Sequence, residues 1–132
     1  MTEQNPRPPR DVYEFILQKI DSVPHLEAIV LLWNSRPVAW SAEELATRLY
    51  IDPAKVTALL RDLVRLQLIA ESAGSPPRFA YSQRSKEQDE LMQSLDAAYR
   101  RDLVRISTMI HSKISSSVLE FARAFRLKKE RD

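Results

Sequence analysis

A mainly α-helical domain carrying one small β-hairpin is the fold class that this 132-residue sequence predicts. Three observations lead there. Most apolar residues recur at helical spacing, two short amphipathic segments meet at a tight turn between Ser41 and Ile69, and the turn formers Ala73-Gly74-Ser75-Pro76-Pro77 separate two segments that can run extended.

Residues 1–10 hold three prolines among polar neighbours and are expected to be flexible. From Asp11, a capping residue type, Val12, Phe15, Ile16 and Ile20 share one face, which predicts an N-terminal helix over 11–21. Its apolar stripe is narrow, so it must lie on the body of the domain or on a second copy of the chain. Pro24 opens the next helix, apolar nearly all round at Leu26, Ile29, Val30, Leu31, Leu32 and Trp33, as a buried central helix is. Asn34-Ser35-Arg36-Pro37 ends it, and Pro37–Trp40 alternates as a short strand does.

Ser41 followed by Glu44 is a capping box: the Ser side chain takes an orphan backbone N–H and the Glu side chain reaches back to the cap. A helix therefore starts at Ser41, with Leu45, Ala46 and Leu49 on one face. Asp52-Pro53 then sets a capping side chain before a residue pre-set for a first helical turn. The helix that follows turns Val56, Leu59, Leu60, Leu63 and Leu66 to one side and Ala54, Thr57, Ala58, Arg61 and Arg65 to the other. Extended segments Leu68–Ser72 and Arg78–Ser82 flank the turn cluster as a hairpin. Ser85 and Gln88 repeat the capping-box pattern and open the longest helical stretch of the chain. In it Met92, Leu95, Tyr99, Leu103, Ile106, Ile110 and Ile114 follow an eleven-residue repeat, which suits a straight seam. Ser112, Ser115, Ser116 and Ser117 predict a kink between about His111 and Ser117, and Ser117 with Glu120 predicts a third capping box. The last helix would turn Val118, Phe121, Ala122 and Phe125 inward and end on Arg126, Lys128, Lys129 and Arg131, cations suited to the negative end of a helix dipole.

The order helix, short strand, helix, helix, hairpin over about residues 22–84 resembles the winged helix-turn-helix domain of bacterial transcription regulators, the MarR-like and PadR-like groups in particular. The resemblance implies a division into a flexible N-terminus (1–10), an N-terminal helix (11–21), the winged domain (22–84) and a C-terminal helical dimerisation region (85–132). It implies a homodimeric transcription regulator of double-stranded DNA, with a recognition helix over about 52–67 in the major groove and a wing over about 70–82 near the minor groove. It also implies a small aromatic effector between the winged domain and the dimerising helix, where Trp33, Trp40 and Tyr99 are candidates to line a pocket. One residue departs from the pattern. A glycine commonly ends the recognition helix in such domains, and here Gln67 stands there, so a non-glycine residue must take a left-handed cap or the helix must run on.

Composition narrows the function classes. With no cysteine there is no disulfide, thiolate metal site or cysteine nucleophile. His25 and His111 lie far apart with no recognisable ligand spacing, no Ser-His-Asp arrangement is readable, and one glycine cannot build a phosphate-cradling loop, so neither an enzyme nor a metal or other cofactor is expected. No apolar run approaches the roughly 20 residues of a membrane span and MTEQNPRPPR lacks the apolar core of a signal peptide, so a cytoplasmic protein off the membrane is expected.

Within this frame Arg61 and Arg65, one turn apart on the outer helix face, are the expected base and phosphate contacts. Lys55, Thr57 and Arg48 are placed for phosphates, and Arg78, just after the wing turn, for the minor groove. Leu103, Ile106 and Ile110 are the expected dimer interface. Two features favour a rival reading, a winged helix kept as a protein–protein interaction module without specific DNA binding. Residues 1–84 carry 10 basic and 10 acidic side chains, where phosphate neutralisation wants a basic excess. Asp62 and Ala58 also sit on the face that would meet the groove.

Overall fold

The computed structural model describes the backbone of residues 9–131 and the side chains of 12–113. Five helices and a three-stranded sheet follow in the order α1 (Pro9–Lys19), α2 (Val23–Ser35), β1 (Trp40–Ser41), α3 (Ala42–Leu49), α4 (Pro53–Arg65), β2 (Ile69–Glu71), β3 (Arg78–Tyr81) and α5 (Lys86–Arg131). The caps read from sequence form. Glu44 N–H donates to Ser41 Oγ at 3.1 Å while Ser41 N–H donates to Glu44 Oε1 at 2.9 Å, and Asp52 Oδ1 accepts from Ala54 N–H at 3.2 Å. At Ser85 only half the box closes: Gln88 N–H reaches Ser85 Oγ, but the Gln88 side chain donates to Ser82 O and Tyr81 Oη instead.

The strands are shorter than expected, and the first is displaced. Pairing begins at Trp40, opposite Phe79, and Ser41 lies opposite Arg78, so the strand expected over Pro37–Trp40 is the pair Trp40–Ser41. Residues 36–38 form a turn in which Val38 N–H donates to Ser35 O at 2.9 Å. β3 is central, antiparallel to β1 on one side and to β2 on the other, where Ile69 faces Tyr81 and Glu71 faces Phe79.

Gln67 resolves the missing glycine. It takes the left-handed conformation itself (φ 64°), and its N–H donates to Val64 O while Leu68 N–H donates to Leu63 O. These two bonds are a complete Schellman cap, and Leu68 and Leu63 are both buried in the core. Tyr50 is also left-handed at the end of α3 (φ 60°), where the Tyr50 N–H and the Ile51 N–H both donate to Ala46 O, the latter at 3.1 Å.

One core joins all the elements. Leu26, Ile29, Leu32, Leu45, Val56, Leu60 and Leu63 are fully buried, Val30 and Trp33 nearly so, and Trp40 and Leu49 pack half-buried on its edge. The long helix departs from expectation in two ways. His111–Ser117 is helical throughout, so no kink and no new helix start falls there; the non-helical residue is Asp102 (φ −128°, ψ 37°). A serine run costs a helix only tenths of a kcal/mol per residue, and Asp102 accepts a long-range hydrogen bond from Tyr13. Second, the stripe has a partner within the chain. Before the bend Asn34 of α2 donates to Asp96 and Arg100 donates to Asn34; after it α1 is bound by Tyr13 to Asp102 and by Lys113 to its C-terminal carbonyls. Ile106 and Ile110 are buried in the same core as Val12, Ile16 and Ile20, which corrects the expectation that they stand free for a dimer seam. Leu103 remains 37% exposed, beside Val104 at 81%. Ile114 and the side chains expected to turn inward on the last helix, Val118, Phe121, Ala122 and Phe125, lie outside the described residues, as do residues 1–8 and the side-chain roles given to Ser117, Glu120 and the terminal cations.

Candidate nucleic-acid interface

α4 presents its outer face as the periodicity requires. Ala54, Lys55, Ala58, Arg61 and Arg65 are exposed, and the buried Val56, Leu59, Leu60 and Leu63 anchor the opposite side. Ala54, Ala58, Arg61 and Arg65 form a single stripe at helical spacing. Thr57, half-buried, donates its hydroxyl to Pro53 O at 3.1 Å. Among the described residues neither Lys55 nor Arg61 has a side-chain ion pair or hydrogen bond.

Arg65 and Arg78 are engaged. Arg65 pairs with Asp62 one turn earlier on α4, a spacing readable in the sequence. Arg78 donates from Nη1 to Glu44 Oε1 at 2.9 Å and to Ala39 O at 3.3 Å, which fixes it at the base of the hairpin against α3. The wing loop 72–77 itself carries no cation. Arg78, expected near the minor groove, thus closes the β1–β3–α3 corner with its guanidinium while its side chain stays 47% exposed. Glu44 benefits in turn, its carboxyl held below the usual carboxylate range by the Ser41 backbone N–H first and by Arg78 as well.

Between α4 and the wing lies an open groove of about 850 Å³, lined by Glu43 and Glu71 as well as Arg61 and Arg65, with Pro76 and Phe79 among its apolar residues. Over residues 42–78, Arg48, Lys55, Arg61, Arg65 and Arg78 are matched by Glu43, Glu44, Asp52, Asp62 and Glu71, so the whole face is formally neutral.

A polar string that sequence spacing did not disclose runs behind this face. Asp62 Oδ2 lies 2.8 Å from His25 Nε2, and His25 Nδ1 lies 2.6 Å from Ser22 Oγ, the N-cap of α2. The three residues stand up to 40 positions apart, and only the packing of α2 on α4 joins them. Facing a carboxylate, Nε2 carries a hydrogen and donates it, so a neutral ring accepts from the Ser22 hydroxyl. Ser22 Oγ also accepts from His25 N–H at 3.3 Å and serves as a cap rather than as a nucleophile. Asp62 is thus tied on both oxygens, to His25 and to Arg65, which blunts the repulsion it would exert on a phosphate.

A second cavity, of about 500 Å³, opens between α2, the end of α3 and α5. Glu27, Leu31, Tyr50, Tyr99 and Arg100 line it, and the Tyr99 hydroxyl is pushed up by burial and by Glu27. The tryptophans expected there are elsewhere. Trp33 packs edge-on to Tyr81 at 5.0 Å beneath Arg36, and Trp40 donates from Nε1 to Ser35 Oγ at 3.0 Å.

No family model matches the chain, and no curated protein sequence matches it. Solved structures match it in fold. MepR of Staphylococcus aureus, a transcription regulator of the multidrug efflux pump MepA, aligns with a TM-score of 0.53 at 10% identity, covering 89% of this chain and 89% of its own. The transcriptional regulator Tm0710 of Thermotoga maritima aligns with a TM-score of 0.50 at 12% identity, over 93% of this chain and 87% of its own. MepR of S. aureus bound to ethidium bromide gives a TM-score of 0.50 at 15% identity, over 89% and 88%. The chain has the winged helix-turn-helix fold of these transcription regulators, as its likeness to MarR-like proteins implied.

Proposed function

We propose that this protein is a homodimeric, DNA-binding transcriptional regulator that reads the major groove with α4. The observation that carries the reading is the outward stripe of α4: Lys55 and Arg61 stand exposed on a helix whose other side is locked into the core, beside a hairpin wing. A helix held this way enters a major groove without reorganising, and an unpaired Arg is free to grip guanine through two hydrogen bonds. Arg61 is the base contact in this reading, with Lys55, Thr57, Arg48 and Arg65 on phosphates. The test is selection of duplexes from a random pool by the purified full-length chain, followed by binding of the enriched site against salt; recovery of an inverted repeat supports the reading.

The interaction-module reading is favoured by the charge balance of the face and the absence of a cation from the wing loop. It takes precedence if no duplex is enriched and no DNA is retained at low salt.

The 500 Å³ cavity falls within the usual size of small-molecule sites and suits an aromatic effector, with Tyr99 and Tyr50 for stacking and Arg100 for an anionic substituent. The MepR structure with ethidium bromide supports effector binding in this fold. A planar aromatic carboxylate that shifts DNA affinity in the parent and not in a Tyr99→Ala variant is the expected result.

A further inference from the structure

The string behind the recognition helix brings together a set of donors that no sequence spacing suggested. Asp21 from the α1–α2 linker, His25 from the first turn of α2 and Asp62 from the last turn of α4 each place one ligand atom within 4.8 Å of the other two. We propose that these three residues bind a divalent first-row transition metal, of which Zn²⁺ is the one the donor set fits best.

One neutral imidazole and two carboxylates balance a charge of +2, and a nitrogen donor favours Zn²⁺ or Co²⁺ over the all-oxygen preference of Mg²⁺ and Ca²⁺. In a tetrahedral zinc site, ligand atoms at about 2.0–2.2 Å from the ion stand about 3.4 Å from one another. His25 Nε2 and Asp62 Oδ2, now 2.8 Å apart, need to part by little more than half an ångström. Asp21 is 72% exposed and free to swing inward; what it leaves is a 4.0 Å approach to Lys113, whose ammonium is already bound to the carbonyls of Leu17 and Ile20.

Beyond the ligands, two arrangements support the same end. A ligating His usually hands its other ring nitrogen to an outer partner that fixes the ring, and Ser22 Oγ stands 2.6 Å from His25 Nδ1, placed to accept a hydrogen there once the ring takes the tautomer protonated at Nδ1 and turns the Nε2 lone pair to the ion. Asp62 has an oxygen for each task, since Arg65 is bound to Oδ1 and leaves Oδ2 to the metal. A consequence rests on the DNA-binding reading: an ion at Oδ2 offsets the Asp62 charge, loosens its hold on Arg65, and makes that guanidinium available to a phosphate. The metal would then raise DNA affinity.

The experiment is calorimetric titration of the full-length chain with Zn²⁺, with Co²⁺ absorption to report the coordination. One Zn²⁺ per chain is expected, undiminished by millimolar Mg²⁺, with the intense visible bands of a four- or five-coordinate Co²⁺ complex. Asp21→Asn is the decisive variant, because Asp21 is exposed and its loss leaves the core intact; it should weaken Zn²⁺ binding at least tenfold with an unchanged melting temperature. His25→Ala and Asp62→Asn should weaken it at least as much, and Asp96→Asn, an acidic control on α5, not at all. Absence of stoichiometric Zn²⁺ binding overturns the proposal, as does binding that Asp21→Asn and His25→Ala leave unchanged. Zinc binding with these variant effects, but no DNA binding with or without zinc, leaves the site standing and removes the DNA reading.

Discussion

Tyr13 on α1 donates its hydroxyl to Asp102 Oδ2 at 2.8 Å, and Asp102 is the residue at which α5 leaves helical geometry. The bend lets one long helix cover two partners, α2 before it and α1 after it. Without the bond a carboxylate out of the helix ladder keeps only Arg101, 3.7 Å away, and solvent. Tyr13→Phe keeps the ring under Arg105 and removes one bond to a charged group, so it should cost about 1 to 2 kcal/mol in urea unfolding. An unchanged midpoint would mean that the bend is held by packing alone.

Phenol titration checks the same region and two others. Burial raises the Tyr13 hydroxyl, with Asp102 adding to it; burial and Asp89 push Tyr81 up to about 12; burial and Glu27 raise Tyr99. In each case the folded chain favours the protonated form, so the stabilisation is fully present below pH 10 and is lost as pH climbs through the folded values toward 12. Phenolate absorbance should therefore rise late in the folded protein and at ordinary values in denaturant. Tyr81→Phe should flatten the alkaline loss of stability, and an unaltered alkaline limb would refute the Tyr81 contribution.

Gln67 and Tyr50 both sit in left-handed backbone that glycine adopts without penalty. Replacing Gln67 by Gly should stabilise the chain by up to about 1 kcal/mol, and Gln67→Val should destabilise it, because a β-branched side chain fits that region worst. Thermal unfolding in either order contrary to this would remove the strain from the account. Tyr50 is 91% exposed and lines the 500 Å³ cavity, so Tyr50→Gly should likewise stabilise while weakening an effector that stacks there.

What was legible in the sequence was local. Ser41 with Glu44, Asp52 with Pro53, and the apolar stripes of α2 and α4 each depend on residues a turn or two apart, and the outer face of α4 follows from them. The bend at Asp102 is met by a tyrosine 89 positions away, and the serine run is tolerated because helix propensity differences are small beside tertiary packing. At the site, exposure of Arg61 and Arg65 was readable, whereas the tie on Arg78 needed the β1–β3 register and the ring of His25 needed α2 set against α4.

Self-association separates two kinds of apolar residue on α5. Ile106 is buried in its own chain, so Ile106→Asp should unfold the protein, in line with the roughly 2 to 5 kcal/mol lost on truncating such a side chain and the added cost of burying a charge. Leu103 and Val104, just after the bend, are exposed. Leu103→Asp should leave the fold intact and convert a dimer to monomer by light scattering. A parent chain that is monomeric at micromolar concentration would end the dimer proposal.

DNA binding is best tested by comparing three cations on α4 that differ in what already holds them. Arg61 has no partner among the described residues, so Arg61→Ala should cost about 1 to 3 kcal/mol on the selected sequence and relax specificity at one base position. Lys55, equally unpaired and near the helix start, should behave as a phosphate contact: Lys55→Ala weakens all sequences alike and lowers the salt slope by about one unit per chain. Arg65 gives up its pair with Asp62 before it meets a phosphate, so Arg65→Ala should change affinity and slope by less than Lys55→Ala does. With a neutral face and few free cations, the parent protein should show a salt slope well below the magnitude of about 10 found when some ten phosphates are neutralised. A steep slope, or three variants indistinguishable from the parent, would mean that α4 is not the surface that meets DNA.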